Sequence, residues 1–365
     1  MQKFFHQPER YFLSHSVGCQ LKTLPDFMQK SYLDPWANAG GNAWPAWLDT
    51  LNLFRSELAT YLGAVQSDIC PQTNVSSALT KVLYSLPARS HRKTILLSPN
   101  DFPTIGFALK QAEKFGYKLR FIKGDITDIN NWHDAMDDNV QLVHITHAIS
   151  NTSQLLPVKN ICKIAKDMQV FSVVDIAQSV GIVPINLTHW KADFCIGTSV
   201  KFLCGGPGAC FLYVNPDIIE RCEPVDVGWF SHENPFEMDI HNFKFAADAL
   251  RFWGGTPSPA PFTSALHSLQ FWQTPKHNNA PEIAQTHLNQ LSKTIPDTVL
   301  ISPRDASKRG GTLVVSPQKR QPLRSALTAQ NIMHDERQEG FRFSIHAYTP
   351  QDDVDLLASI FKSVF

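Results

Sequence analysis

From about residue 47 to 260 the chain alternates amphipathic helical stretches with short apolar runs, and no other feature constrains its fold as much. Leu51, Phe54, Leu58 and Leu62 recur at helical spacing, as do Val75, Leu79, Val82 and Leu83. Between such stretches stand Thr94–Ser98, Leu119–Ile122, Leu142–Thr146, Val170–Asp175, Phe194–Ile196 and Cys210–Val214. Their length and their β-branched and aromatic content suit buried strands. Strand and helix in alternation imply βαβ crossovers and a mainly parallel central sheet flanked by helices. In such a sheet the binding crevice lies beyond the carboxyl ends of the strands. After Pro257, Pro259 and Pro261 the pattern changes to longer helical stretches, strands near 298–302, 312–316 and 341–346, and a last helix from about Asp352. The expectation is an α/β fold with a large domain over 14–258 and a smaller C-terminal α+β domain over 259–365, which the N-terminal segment 1–13 joins.

Charge and cysteine usage narrow the function. The 365 residues carry 33 basic and 33 acidic side chains, a formal net charge of +0. That balance argues against a nucleic-acid binder working by phosphate neutralisation. The seven cysteines form no CxxC pair, so neither a zinc ribbon nor a paired disulfide framework is indicated and no metal site is expected. A reducing compartment fits best. Pro8, Glu9 and Arg10 interrupt the N-terminus before a signal-peptide core could form, and no apolar run approaches membrane length. The reading is a cytoplasmic protein with a small-molecule or protein partner, and with neither a nucleic-acid nor a membrane partner.

No Walker loop, dinucleotide glycine fingerprint, HExxH or GxSxG motif is present. Asp175 ends the apolar run Ser172-Val-Val-Asp175, which places a carboxylate at a strand's carboxyl end. The next apolar run leads into Gly197-Thr-Ser-Val-Lys201 and the glycine turn Gly205-Gly-Pro-Gly208. Alone, such an Asp is usually a helix cap and such a Lys is usually solvated. Paired in this order they suit other chemistry. A desolvated lysine amine forms a Schiff base with an aldehyde cofactor, and a carboxylate against a pyridine nitrogen keeps the ring an electron sink. That cofactor is pyridoxal 5'-phosphate (PLP).

With these residues the chain resembles the class V aminotransferase superfamily of fold-type I PLP enzymes, and within it the kynureninase branch. The matching segments include Tyr11–Gly18, Asp101-Phe-Pro-Thr104, Asp175–Ser179, Ser199–Ala209, Gly228–His232, Arg251–Pro257, Arg309-Gly310 and Phe341-Arg342. The resemblance implies that Lys201 is the Schiff-base lysine and Asp175 the pyridinium partner. It implies that Phe102 stacks on the cofactor ring and that Ser76 and Ser77 meet the phosphate at a helix N-terminus, where the dipole favours an anion. Gln178, Thr198, Ser199 and Asn151 fall where the family places cofactor contacts, and Thr256 where it reaches the phosphate of a neighbouring subunit. A homodimer with a shared active site follows. Arg342 matches the arginine that grips the substrate carboxylate, a task suited to a bidentate guanidinium. Trp229 would line the substrate pocket.

Three positions depart from the pattern. Kynureninases resembling this chain carry Tyr immediately before the lysine and desulfurase-type relatives carry His, whereas this chain has Val200. Ile105 replaces an Asp in Phe-Pro-Thr-Asp, and Gln178 stands where a His is usual. Cysteine desulfurase chemistry is disfavoured because no Cys follows Cys222. Three readings stay open: kynureninase-like hydrolytic Cβ–Cγ cleavage of an amino-acid substrate, class V transamination of another amino acid, and a non-catalytic PLP-binding protein.

Overall fold

The computed structural model describes residues 1–365. Its central sheet consists of β1 (Ile69–Gln72), β2 (Thr94–Leu97), β3 (Lys118–Phe121), β4 (Val140–Thr146), β5 (Phe171–Asp175), β6 (Phe194–Thr198) and β7 (Cys210–Val214), in the spatial order β1-β7-β6-β5-β4-β2-β3. Every pairing is parallel except the two made by β7. The expected α/β architecture is found, and each of the six runs read as a strand between residues 94 and 214 is one. β1 was not anticipated. It is four residues long and contains Pro71, which a sheet tolerates at an edge, and β1 is an edge strand.

Strands β4, β5 and β6 are buried along their whole length because helices cover both faces. One face packs on α1 (Trp44–Leu62) through Leu51, Phe54 and Leu58. The other packs on α2 (Val75–Leu83) and α3 (Pro103–Lys110) through Leu79, Val82, Ile105 and Leu109. Truncating a fully buried side chain such as Leu79 to Ala costs roughly 2–5 kcal/mol, so α2 is held to the sheet by packing more than by propensity. That anchoring aims the N-terminus of α2 at the strand ends. No helix is long and apolar enough to cross a membrane.

The helix after the Pro-rich stretch, α4 (Pro259–Gln273), lies on α1 with the Phe54 and Phe262 rings 5.0 Å apart, inside the core of the large unit. A separate core begins at α5 (Ala280–Ser292) and includes α6 (Arg320–Ala329) and α7 (Gln351–Val364). These helices cover an antiparallel sheet of β8 (Thr312–Val315), β9 (Asp335–Glu336) and β10 (Phe341–Ser344), in the order β8-β10-β9. The run at 298–302, expected to be a strand, lies beside β8 and bridges it only at Leu300. Pro296 and Pro303 flank it and leave too little chain for a regular ladder.

The N-terminal segment binds the two units together. Tyr11 bridges Met333, Leu13 bridges Ser344, and Phe12 is buried in the small core. Gly18 then donates its N–H to the Val200 carbonyl at 2.8 Å. A Cβ at Gly18 would stand 2.1 Å from the Lys201 carbonyl oxygen, so only glycine lets the segment cross the lysine loop.

Candidate active site

The carboxyl ends of β4, β5 and β6, the N-termini of α2 and α3, and the loop after β6 enclose a cavity of about 300 Å³. Asp175, the last residue of β5, is buried on its floor, and one carboxylate oxygen accepts the Ala177 N–H at 2.7 Å. Burial pushes its carboxyl above the usual range, while His144, the Ala177 N–H and Lys201 pull the other way. Lys201 follows β6 by three residues. Desolvation holds its ammonium below the ordinary lysine range, Asp175 opposes this, and Arg342 and Arg337 add to the lowering. Its amine is thereby closer to the neutral, nucleophilic form at neutral pH.

Phe102 caps α3 in an extended conformation and is 41% exposed, an unusual position for a large aromatic ring. The Lys201 Nζ and the Arg337 guanidinium carbon lie 5.9 Å and 5.8 Å from its centroid. At the start of α2 the capping residue is Asn74, whose Oδ1 accepts the Ser77 N–H at 2.8 Å and the Ser76 hydroxyl at 2.7 Å. Ser76 and Asn74 line the cavity; Ser77 does not, and its backbone N–H is taken by Asn74. Thr198 and Gln178 also line it, and Gln178 donates to the His15 carbonyl at 3.3 Å.

Besides Ser77, and Arg342 described below, four residues expected at the cofactor or substrate do not line the cavity. Ser199 turns its hydroxyl away from the cavity, to the Ala209 carbonyl at 2.8 Å, where it closes the glycine turn that carries Lys201. Asn151 accepts a hydrogen bond from Arg337 at 3.0 Å and does not line the cavity. The Trp229 indole donates to the Thr256 hydroxyl at 3.3 Å, and neither residue lines the cavity. Trp229 instead borders a separate surface depression with Met238, Ile240 and Phe243.

Arg342, on β10, is 1% exposed and donates from Nη1 to Asp335 at 2.6 Å. Its Nε and Nη2 are buried without a hydrogen-bond partner. Burial and the neighbouring Arg337 lower its guanidinium to about 10, and Asp335 opposes them. Arg337 donates to the same Asp335 oxygen at 3.0 Å. His15 Nδ1 pairs with the Ser344 hydroxyl at 2.8 Å, and its Nε2 stands 3.6 Å from Asp335. Desolvation lowers the imidazole to about 4, so His15 is neutral at physiological pH. His15, Arg342 and Arg337 together hold the Asp335 carboxyl well below the usual range. The sequence reading assigned no role to Asn74, Asp335, Arg337 or His15. Its available signal was a charged Asp335-Glu-Arg337 placed just before an otherwise apolar strand.

Such a strand-end constellation in a mainly parallel sheet defines a small-molecule enzyme site rather than a macromolecular surface. The Aminotransferase class-V family model matches residues 46–357, and the chain belongs to that family, whose cofactor is PLP. The kynureninase of Deinococcus radiodurans is 30% identical over 257 residues, 68% of this chain and 61% of that one, so the match spans less than two thirds of that relative. The kynureninase of Pseudomonas fluorescens is 24% identical over 357 residues, 93% of this chain and 84% of that one. An uncharacterized Bacillus subtilis aminotransferase, YcbU, is 24% identical over 301 residues, 80% of this chain and 77% of that one. The fold is shared with the cysteine desulfurase of Thermococcus onnurineus NA1 (TM-score 0.85, 20% identity, 97% and 94% coverage). It is shared equally with the cystine C–S lyase C-DES in complex with cysteine persulfide (TM-score 0.84, 21% identity, 96% and 97% coverage).

Proposed function

We propose that the chain processes an α-amino acid by kynureninase-like hydrolysis of the Cβ–Cγ bond. The observation that carries an amino-acid substrate is the buried, unpartnered Nε and Nη2 edge of Arg342. Two parallel N–H donors without an acceptor match a carboxylate, and leaving them unmatched costs more than pairing them. The length of the match to the Pseudomonas fluorescens kynureninase supports the reaction type.

The residues present fit PLP. Lys201 would hold its aldehyde carbon, Asp175 its ring nitrogen, Phe102 one face of the ring, and Ser76, Thr198 and the N-terminus of α2 its phosphate. Gln178 adds a donor at the rim. When bound, the cofactor accepts the electron pair released at the substrate Cα. Lys201 removes the Cα proton, an assignment supported by the depressed basicity that burial imposes on its amine. Arg342 fixes the carboxylate, and Asp335 holds Arg342 at its other edge. Ile105 and Val200, which line the cavity, exclude water from the wall they form and offer no proton. Trp229 and Thr256 serve the site of a second copy in a homodimer. Val225, Met238 and Ile240 of the same segment are 72%, 71% and 90% exposed, an apolar surface that suits such a partner.

Val200 and Ile105 favour a second reading, transamination, which needs no proton donor for a side-chain ketone. Anthranilate release from kynurenine by the wild type and by Val200→Tyr separates the two. Cleavage by the wild type supports hydrolysis. No cleavage by either protein, together with amino transfer from another amino acid, would replace it with transamination. Absence of any reaction with a panel of amino acids would point to a non-catalytic PLP-binding protein.

A further inference from the structure

Beneath the cavity floor lies a buried pair that the proposed roles do not use. Asp101 follows β2 in the turn that presents Phe102. Its carboxylate accepts from the Thr146 hydroxyl at 2.7 Å, from the Ser98 N–H at 3.2 Å, and from His144 Nδ1 at 2.9 Å. His144 is wholly buried in the middle of β4, and its Nε2 has no partner. Register places Thr146 beside Asp175 and His144 beside Val173, so alternation puts His144 and Asp175 on one face of adjacent strands. An imidazole of this kind is expensive to bury, and a hydrophobic residue would fill the same space without an orphaned ring nitrogen.

We propose that His144, held by Asp101, is a positioning residue that acts through Asp175, serving as a buried cation that keeps the floor carboxylate ionised. The inference rests on the reading of Asp175 as the partner of the cofactor's ring nitrogen. Desolvation opposes a charge on His144, but Asp101 in contact and Asp175 nearby outweigh it, and the imidazole is raised above its ordinary value. Asp175 feels the same pair in reverse: burial raises it, His144 lowers it, and Asp101 raises it slightly. Lys201 is the other charge facing Asp175, and the thiols of Cys195 and Cys210 are the neighbouring titratable groups. With three such groups in one low-dielectric layer, the protons belong to the set rather than to one residue.

The sign follows. A carboxyl whose folded value is raised loses its charge as pH falls through that raised value. Removing the His144 cation moves the loss to higher pH. An Asp175 that has taken up a proton no longer favours a protonated ring nitrogen, so PLP is held less tightly.

The test reads PLP affinity rather than turnover. Full-length wild type, His144→Gln, Asp101→Asn and Thr146→Val are titrated with PLP at pH 8 and pH 6, and each variant's Kd is divided by that of the wild type at the same pH. For His144→Gln the ratio should rise about tenfold between pH 8 and pH 6, the change that one unit of pKa displacement produces. Asp101→Asn should move in the same direction by a smaller factor. Thr146→Val breaks a hydrogen bond to Asp101 without removing a charge, so its ratio should be the same at both pH values. Ratios independent of pH for both His144→Gln and Asp101→Asn would overturn the proposal and leave the pair a purely structural prop. If one of the two fails to fold, the other decides. A separate titration of Asp175→Asn that matches the wild type in Kd and in cofactor absorbance would sink the reading of Asp175 itself, whatever the pair does.

Discussion

The cavity floor and the segment from Val225 to Thr256 carry motif residues of equal prominence, yet the chain treats them differently. On the floor, Asp175 and Lys201 emerge from adjacent paired strands, Asp175 accepting the Ala177 N–H and Lys201 lying 5.9 Å from the Phe102 ring centroid of the same chain. In the segment, Trp229 and Thr256 bond to each other beside exposed apolar side chains and meet no part of the cavity. Strand ends are positioned by the sheet that makes them. A surface segment acquires a comparable position only from something packed against it, so the two regions should respond differently to substitution and to mixing of subunits.

The largest effect is expected at Lys201. Lys201→Ala should lower turnover by about 10⁴-fold, the upper range for losing a positioned general base, at every protein concentration. Borohydride reduction of the wild-type holoenzyme followed by peptide mapping should place the pyridoxyl group on Lys201 alone, and a label on another lysine would falsify the assignment. Next, Asp175→Asn should retain PLP at neutral pH, bound more weakly, but slow exchange of the substrate's Cα proton by about a hundredfold or more. Exchange at the wild-type rate would break the assignment of Asp175 to the ring nitrogen, and with it the floor's side of the comparison.

Arg342→Lys comes third. A lysine cannot present the two parallel donors of the vacant guanidinium edge, and a hydrogen bond to a charged group contributes roughly 1.5–3 kcal/mol. KM for the amino acid should rise by about tenfold or more, with a smaller change in kcat. An unchanged KM would place the carboxylate elsewhere. The smallest effect sharpens the comparison most. Thr256→Ala should weaken PLP binding by about tenfold, one hydrogen bond's worth. Mixed with Lys201→Ala, it should regain activity, because a hybrid dimer pairs an intact Lys201 site with an intact Thr256 from the other copy. Additive losses on mixing would show that Thr256 does not serve a partner.

The legibility of the sequence follows the same division. The central strands were readable because burial on both faces leaves continuous apolar runs, and Asp175 and Lys201 because each interrupts or follows such a run. β9 and the stretch at 298–302 were not readable, since two residues carry no periodicity and flanking prolines mimic strand ends. Ser199 was misjudged because a hydroxyl beside the lysine can point into the cavity or back into the turn, and the choice is made by the Ala209 carbonyl ten residues on. Asn74 was passed over for the two serines that follow it, although an asparagine before Val-Ser-Ser is an equally good cap. His144 left the clearest unused mark, a titratable ring within Leu142-Val-His-Ile-Thr146. His15 meets Asp335, and Arg337 meets Asn151, only through long-range contact, and local pattern cannot reveal that.

The crossing of Gly18 over the lysine loop has a consequence for assembly. The segment that crosses precedes the lysine loop in the chain, but its pairing partners, Met333 and Ser344, follow it. All seven strands of the central sheet stand between the segment and those partners in the chain, so Asp175 and Lys201 can come together while the Gly18 N–H to the Val200 carbonyl holds the segment over the loop. The floor and the lysine loop can thus form ahead of the small sheet that carries Arg342, so the site is built in two stages with the lysine end first.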